Sequence, residues 1–275
     1  MNTKDLLKST GILLQKEKEY CSIRILSDGG NFTADKMAVL TNISKIYGKG
    51  YLTLTSRLSI EIPFIKKEDL NKVKNILEEN QLELGGTGKT VHPITCCRGT
   101  VCRNGIIDTQ GLAENLQKNI LKEFLPNKVT IGIIGCSNNC LKSQNNDIYI
   151  QPYKIINPKN NKCVLCNKCI DFCKQNALSI NENNNIILNK NLCNNCGKCT
   201  LKCPLNDISI EKTYYKIYLK ESTDKNNFSY KAINTIVEKE NLINEINRIL
   251  YLYMNEGMDK EKFPDMIKRI GIENI

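Results

Sequence analysis

The sequence has no apolar run near the ~18 residues that a membrane-spanning helix needs, although 41% of its 275 residues are hydrophobic. No span is expected, and the length suits roughly one large domain or two to three small ones. The opening residues, Met1 to Thr10, hold lysines and an acid but no apolar core segment. No secretory leader is therefore expected, and the chain is assigned to the cytoplasm. Basic residues are plentiful, giving a formal net charge of +10, but no basic helix or aromatic RNA-reading motif accompanies them. The lysines are scattered among Asn and Glu, so nucleic acid is not the expected partner. Two uses of the charge fit better: holding a polycarboxylate cofactor and docking an acidic electron donor. Nor is there a fingerprint for NAD or flavin, so any redox chemistry would draw its electrons from a partner.

What the chain does have is cysteine. Fourteen are present, and in a reducing cytosol clustered cysteines serve as metal ligands or catalytic groups rather than disulfides. Eight form a repeat: Cys163-x-x-Cys166-x-x-Cys169-x-x-x-Cys173 recurs as Cys193-x-x-Cys196-x-x-Cys199-x-x-x-Cys203-Pro204. Each such run wraps three thiolates around one cubane, and the fourth ligand comes from the distant cysteine of the other run. The spacing therefore assigns Cys163, Cys166, Cys169 and Cys203 to one [4Fe–4S] cluster, and Cys193, Cys196, Cys199 and Cys173 to a second. Zinc ribbons are the competing reading, but zinc sites use two separated pairs and often histidine, which two four-cysteine runs do not match. Lys174 stands where the first run would usually have proline. Ala177-Leu178-Ser179-Ile180 and Asp207-Ile208-Ser209-Ile210 predict a short strand after each run. Two clusters about 10–12 Å apart make a wire, not a reaction centre.

Around this segment the pattern is α+β. Met37, Leu40, Ile43 and Tyr47 give Ala34 to Tyr47 helical spacing. Tyr51 to Leu54 and Leu58 to Ile62 read as strands, the second broken by Pro63, and Leu70 to Leu77 as a second amphipathic helix. That alternation predicts a ferredoxin-like unit, in the topological sense, over the first 90 residues. A helix follows from Leu112 to Phe124. The β-branched run Val129 to Ile134 reads as a buried strand leading into Cys136. Asn-, Pro- and Lys-rich stretches flank residues 159–210, as around an inserted module. Beyond it, Leu242 to Tyr253 is the clearest helix. Gly85-Gly86-Thr87-Gly88-Lys89-Thr90 looks like a phosphate-binding loop, but the Walker pattern needs glycine where Glu83 stands, and His92-Pro93 reads as extended. A flexible basic loop is expected there.

Four of the remaining cysteines lie in Thr95-Cys96-Cys97-Arg98-Gly99-Thr100-Val101-Cys102 and Gly135-Cys136-Ser137-Asn138-Asn139-Cys140. The residues near them carry a resemblance. Leu125-Pro126-Asn127-Lys128-Val129-Thr130-Ile131, running into the second pair, resembles the sulfite and nitrite reductase family, as does Tyr51-Leu52-Thr53-Leu54-Thr55-Ser56-Arg57. Ile106-Ile107-Asp108-Thr109-Gln110-Gly111, Tyr251 to Glu256 and Ile267-Lys268-Arg269-Ile270-Gly271 resemble it too. Within that family the chain is similar to the sirohaem subunits of the anaerobic sulfite reductases, in which a two-cluster ferredoxin module follows the second cysteine pair. The resemblance covers nearly the whole sequence.

The resemblance implies an α+β fold in three parts. A ferredoxin-like half domain would span residues 1–88, and a sirohaem/[4Fe–4S] α/β domain residues 89–158 and 211–275. A bacterial-type 2[4Fe–4S] ferredoxin module would be inserted at 159–210. It also implies a third [4Fe–4S] cluster on Cys97, Cys102, Cys136 and Cys140, with Cys140 bridging to the iron of a sirohaem. Cys96 and Cys97 both fit the spacing to Cys102; the similarity of Cys97-Arg98-Gly99-Thr100-Val101-Cys102 to the family's C-K-G-T-x-C favours Cys97. Cys21 is read as a small buried hydrophobe.

Sulfite is an anion whose developing charge needs cationic groups. Arg57 and Lys128 match two basic positions of the family. His92 stands where the family has Arg, at a position of pocket contact. Thr130 stands where it has the second Lys of K-x-K, a neutral side chain more like the nitrite reductase branch. Lys89 is expected to pair with a sirohaem carboxylate. Leu219-Lys220-Glu221-Ser222 replaces a Gly-Gly-basic loop. The implied activity is the six-electron reduction of sulfite to sulfide, fed by flavin and iron–sulfur donor subunits. Reduction of nitrite, and sirohaem-free electron carriage, are the alternatives. Monomeric relatives build the sirohaem site between two internal repeats. This chain holds one repeat but both residue sets, which implies a homodimer core or a hetero-oligomer with the site across the interface.

Overall fold

In the computed structural model, which describes residues 9–224 and 227–275, the chain folds around two sheets. Most of the stretch read for a leader lies outside the described residues. The first sheet comes from β1 (Ile12–Leu14), β2 (Tyr20–Ile25), β3 (Thr53–Leu54) and β4 (Ile60–Lys66), in the order β1-β2-β4-β3 with antiparallel pairing throughout. Helix α1 (Ala34–Tyr47) and helix α2 (Leu70–Glu79) supply the other half of its core. Alternate residues Ile23, Ile25, Ile60 and Ile62 share a cluster with Leu40, Ile43, Val73 and Leu77, as a half-buried sheet demands. Helix α1 has the bounds its spacing predicts. Thr33 caps it by accepting the Lys36 N–H, and the Gly48 N–H closes it on the Ser44 carbonyl.

Pro63 does not break its strand. β4 runs through it with a register shift against β2 between Cys21 and Ile23, and Phe64 takes a positive φ of 62°. The bulge absorbs the missing N–H of proline. Phe64 then makes edge contacts with Tyr20 and Tyr51. Cys21 is fully buried in this core, the small hydrophobe that was expected.

The second unit contains β5 (Thr95–Cys96), α3 (Thr109–Asn119), β6 (Ile131–Ile133), β7 (Ile148–Pro158), α4 (Lys168–Asp171), β8 (Leu178–Ile180), β9 (Ile186–Leu188), β10 (Ile208–Asp224), β11 (Asn227–Val237), α5 (Leu242–Glu256) and α6 (Phe263–Ile270). Five of the strands form a mixed sheet in the order β11-β10-β7-β6-β5. β5, β6 and β7 are parallel, and β7, β10 and β11 antiparallel. Ile131, Ile133, Ile148, Ile150, Ile217 and Leu219 share a core with residues of α3, α5 and α6. Helix α3 starts earlier than Leu112 because Asp108 caps it, accepting the Gly111 N–H, and it stops at Asn119 rather than Phe124, where Ile120 turns extended. No helix among the described residues is long and apolar enough to cross a membrane.

Two expectations change here. Residues 219–222 are not a loop: they pair with β11 from Leu219↔Lys231 to Ser222↔Phe228. Asp207 to Ile210 does not end in a short strand either. Ile208 opens the 17-residue β10, which pairs with β7 from Pro158 down to Ile148. The cysteine repeat is thus carried at the far end of one long hairpin. There Leu178, Ile186, Ile156 and Ile208 make a small third core with Cys169 and Cys199. The repeat is written in the backbone as well: Leu165/Asn195, Asn167/Gly197 and Asn176/Asn206 all adopt left-handed φ values, between 50° and 68°, and each pair is separated by the same step as Cys163 and Cys193.

Candidate functional site: three thiol-lined cavities and a basic edge

Thirteen of the fourteen cysteines line three cavities, all but Cys21. One is lined by Cys163, Cys166, Cys169 and Cys203. The second is lined by Cys173, Cys193, Cys196 and Cys199, so the crossed partition expected from spacing is the grouping observed. The third is lined by Cys97, Cys102, Cys136 and Cys140, with Cys96 at its wall. Cys96 differs from its neighbour in direction: its thiol reaches the Gly29 carbonyl at 3.2 Å and it belongs to the apolar core. Cys97 instead accepts the Gly135 N–H at 3.1 Å. Adjacent strand residues face opposite ways, and only Cys97 points toward Cys136 and Cys140.

The donor set suits iron–sulfur clusters. Backbone N–H groups of Asn104, Gly135, Ala177, Asn195 and Asp207 point at the sulfurs of Cys102, Cys97, Cys173, Cys193 and Cys203 at 3.1–3.4 Å. Such bonds stabilise thiolate charge and tune cluster potential. The Ala177 and Asp207 bonds occupy equivalent places in the repeat. Burial, together with Cys196, Cys193 and Cys173, pushes the Cys199 thiol up to about 12. The Cys199 sulfur would be a neutral thiol on its own, so a cationic centre is what would hold it as a thiolate.

The cavities stand in a row. Asn104 and Asn138 line both the second and the third, and Lys198 donates to Asn138 at 2.6 Å across the join. Gly197, with φ 68°, lies where a side chain would meet Lys154 of β7, within 2.8 Å of its Cγ. Glycine lets the repeat approach the sheet there. None of Asn104, Asn138, Lys154 and Lys198 stands out in the sequence, because a scattered Asn or Lys carries no spacing signal.

The basic candidates sit elsewhere. His92 and Lys128 precede β5 and β6, whereas Cys97 and Cys136 follow them. Since the strands are parallel, the two sets occupy opposite edges of the sheet. At about 3.3 Å per residue, Lys128 and Cys136 are up to ~26 Å apart along the chain. Arg57 joins the basic edge from the first unit. Its Nε and Nη2 donate to the Pro93 carbonyl, Nη2 also to the Ile131 carbonyl, and Nη1 to Asn146. Guanidinium has five N–H groups, and four are already used. Burial pulls the Arg57 pKa down to about 10, partly opposed by Asp147, so it stays charged. His92 lies half-buried with Nε2 3.2 Å from the Gly88 carbonyl. Burial foremost, then the charges of Lys128, Arg57 and Arg24, lower its pKa to about 4 against that carbonyl's opposing pull, so the ring is neutral near pH 7.

Thr130 and Asp147 are locked together: Thr130 donates its N–H and hydroxyl to Oδ2, at 2.9 and 2.7 Å, and accepts the Asp147 N–H. This carboxylate, unforeseen from sequence, faces the basic edge. Lys89 pairs with Asp259 at 2.6 Å, so its ammonium has a protein partner. The glycine loop before it shows no helix after it, which agrees with rejecting a Walker loop.

A thiol-rich α+β protein with two main sheets and the two-stranded β8-β9 sheet is the class this geometry defines. Comparison with known proteins gives the family. Residues 13–80 match the nitrite/sulfite reductase ferredoxin-like half domain, and residues 87–275 match the nitrite and sulphite reductase 4Fe-4S domain. The chain belongs to the nitrite and sulfite reductase family. It is 31% identical over 246 residues to the coenzyme F420-dependent sulfite reductase of Methanocaldococcus jannaschii, covering 88% of this chain and 39% of that protein. It is 27% identical over 180 residues to a subunit of the anaerobic sulfite reductase of Salmonella typhimurium, covering 60% of this chain and 53% of that one. The chain thus spans only part of these relatives' lengths. In fold it is similar to dissimilatory sulfite reductase I, with a TM-score of 0.71 at 16% identity over 93% of this chain and 68% of the other.

Proposed function

We propose that the chain is the sirohaem-bearing catalytic subunit of a sulfite reductase, taking sulfite to sulfide with six electrons. The observation that carries this reading is the row of three cysteine-lined cavities, within a chain of this family. Cys163, Cys166, Cys169 and Cys203 would hold one [4Fe–4S] cluster, and Cys173, Cys193, Cys196 and Cys199 another, in an inserted ferredoxin module. Cys97, Cys102, Cys136 and Cys140 would hold the third, with Cys140 shared with the sirohaem. Bound there, the sirohaem would supply the iron at which sulfur–oxygen bonds are reduced.

The chain's own residues supply field and position. Lys128 offers a charge to the anion's oxygens. Arg57 has one N–H left for it and mainly fixes the Pro93 and Ile131 backbone that carries His92 and Lys128. His92, neutral, has its one N–H placed to meet the Gly88 carbonyl and holds no spare proton near pH 7. Lys89 would leave Asp259 to pair with a sirohaem carboxylate. Because basic residues and cysteines lie at opposite sheet edges, each site would take its basic residues from a second copy in a two-fold assembly. Flavin and iron–sulfur donor subunits in the cytoplasm would feed it.

Anaerobic purification with iron counting and a visible spectrum tests this. About thirteen irons per chain, twelve in clusters and one in the sirohaem, are expected together with Soret and red bands; cluster absorption without those bands would reduce the chain to an electron carrier. A stable, active monomer by light scattering would refute the shared site. Nitrite is the second reading, favoured by the neutral Thr130 held on Asp147, and the ratio of kcat/KM for the two anions decides between them.

A further inference from the structure

The row of cavities has a direction. The cavity of Cys163, Cys166, Cys169 and Cys203 is lined only by residues between 163 and 208. The next one takes Asn104, Ser137 and Asn138 from the main body. The first is therefore terminal, the second is inner, and the one round Cys97 and Cys136 is last.

The terminal cavity opens on an unusual surface. Cys166 is exposed, and two apolar residues lining the cavity stand out in solvent: Val164 at 66% and Leu205 at 43%. Pro204 lies beside them. Lys162 and Lys168, both exposed, adjoin the lining residues Cys163 and Asn167 in the chain. Neither has a carboxylate partner among the described residues. Between residues 159 and 207 there are seven lysines and three carboxylates. One of those, Asp207, is buried and accepts the Asn161 and Lys162 N–H groups. A small apolar centre with a one-signed rim suits brief encounters, in which opposite charge steers approach and little area is buried.

We propose that Val164, Pro204 and Leu205, rimmed by Lys162 and Lys168, form the docking face for an acidic one-electron carrier protein, which delivers electrons at the Cys163/Cys166/Cys169/Cys203 site. Each encounter moves one electron: the reduced carrier is oxidised by one unit, this site is reduced by one, and no bond forms or breaks. A second copy of the chain is disfavoured as occupant because it would bring the same basic rim. The proposal rests on the cluster assignment above, but not on the sirohaem or the substrate.

The test is anaerobic stopped flow with a fully reduced acidic flavodoxin as probe. It follows flavin oxidation and, by freeze-quench EPR, reduction of the chain's clusters. Lys162→Glu/Lys168→Glu is expected to slow the second-order step at least tenfold at low salt, with the gap closing as ionic strength rises. Lys162→Gln/Lys168→Gln should slow it about threefold. Reduction by dithionite should not change, and Lys16→Glu/Lys45→Glu, an equal charge change on the first unit, should behave as the parent. Equal rates in all variants with full iron would overturn the docking face alone. Missing iron in the parent would overturn the cluster assignment and the proposal with it. A parent dimer that Val164→Glu dissolves would give the face to a second copy and also overturn it.

Discussion

Arg57→Met removes a strut between the two units, and the structure sets the size of the effect. The guanidinium serves three acceptors: the carbonyls of Pro93 and Ile131 and the side-chain oxygen of Asn146. Ile131 keeps a long bond from Thr95 at 3.5 Å. The Pro93 carbonyl and the Asn146 oxygen, both on buried residues, lose the donors seen here. A buried acceptor left unpaired costs ~1–3 kcal/mol, so the loss from two should be about 2–6 kcal/mol of local stability. At 1.4 kcal/mol per decade this is roughly a 30- to 20,000-fold larger population of the locally open state. Amide exchange by mass spectrometry reads it at two bonds that bracket the strut, His92 N–H to Val129 and Cys97 N–H to Ile133. Arg57→Lys should recover only part, because an ammonium cannot serve the fork's separate acceptors at once. Unchanged exchange at both amides in Arg57→Met, with activity lost, would refute the strut and leave Arg57 purely an anion ligand.

Other outcomes follow from single groups. Cys97→Ser should lose about four of the twelve cluster irons while Cys96→Ser keeps them all; equal losses would undo the assignment made from thiol direction. The chain has one histidine, so an NMR titration reads His92 without ambiguity, with a midpoint expected near 4 and refuted by one at 6.5 or above. That depressed value means the unfolded chain binds the proton first as pH falls. His92 should therefore cost the fold up to about 3 kcal/mol between pH 6.5 and 4, and nothing above that window. Thr130→Lys would set a cation against Asp147 and should tighten sulfite binding; unchanged affinity would remove Thr130 from the anion site.

Some of this was legible because it is local. The C-x-x-C-x-x-C runs, whose spacing follows cubane geometry, name the two groups of cysteines that the fold gathers round common cavities. Helix α1 shows its bounds through the helical spacing of Met37, Leu40, Ile43 and Tyr47. Pro63 misled because a bulge, which depends on the partner strand, can excuse a proline inside a sheet. Residues 219–222 misled for a similar reason: a stretch that the resemblance implied to replace a loop is a strand, because β11 is there to pair with it.

The opposite-edge placement of Lys128 and Cys136 was hidden for a deeper reason. Both belong to one short stretch of chain, and a sequence shows them as neighbours. Only a strand between them, parallel to β5 and β7, turns that nearness into separation, because an extended segment carries its two ends to the two edges of a sheet. The same strand geometry gives His92 and Cys97 the same fate on β5. Two such strands side by side put both basic residues on one edge and both thiolates on the other. In the proposed site a single copy would therefore present two half-sites facing apart, and closing either one would take a second surface.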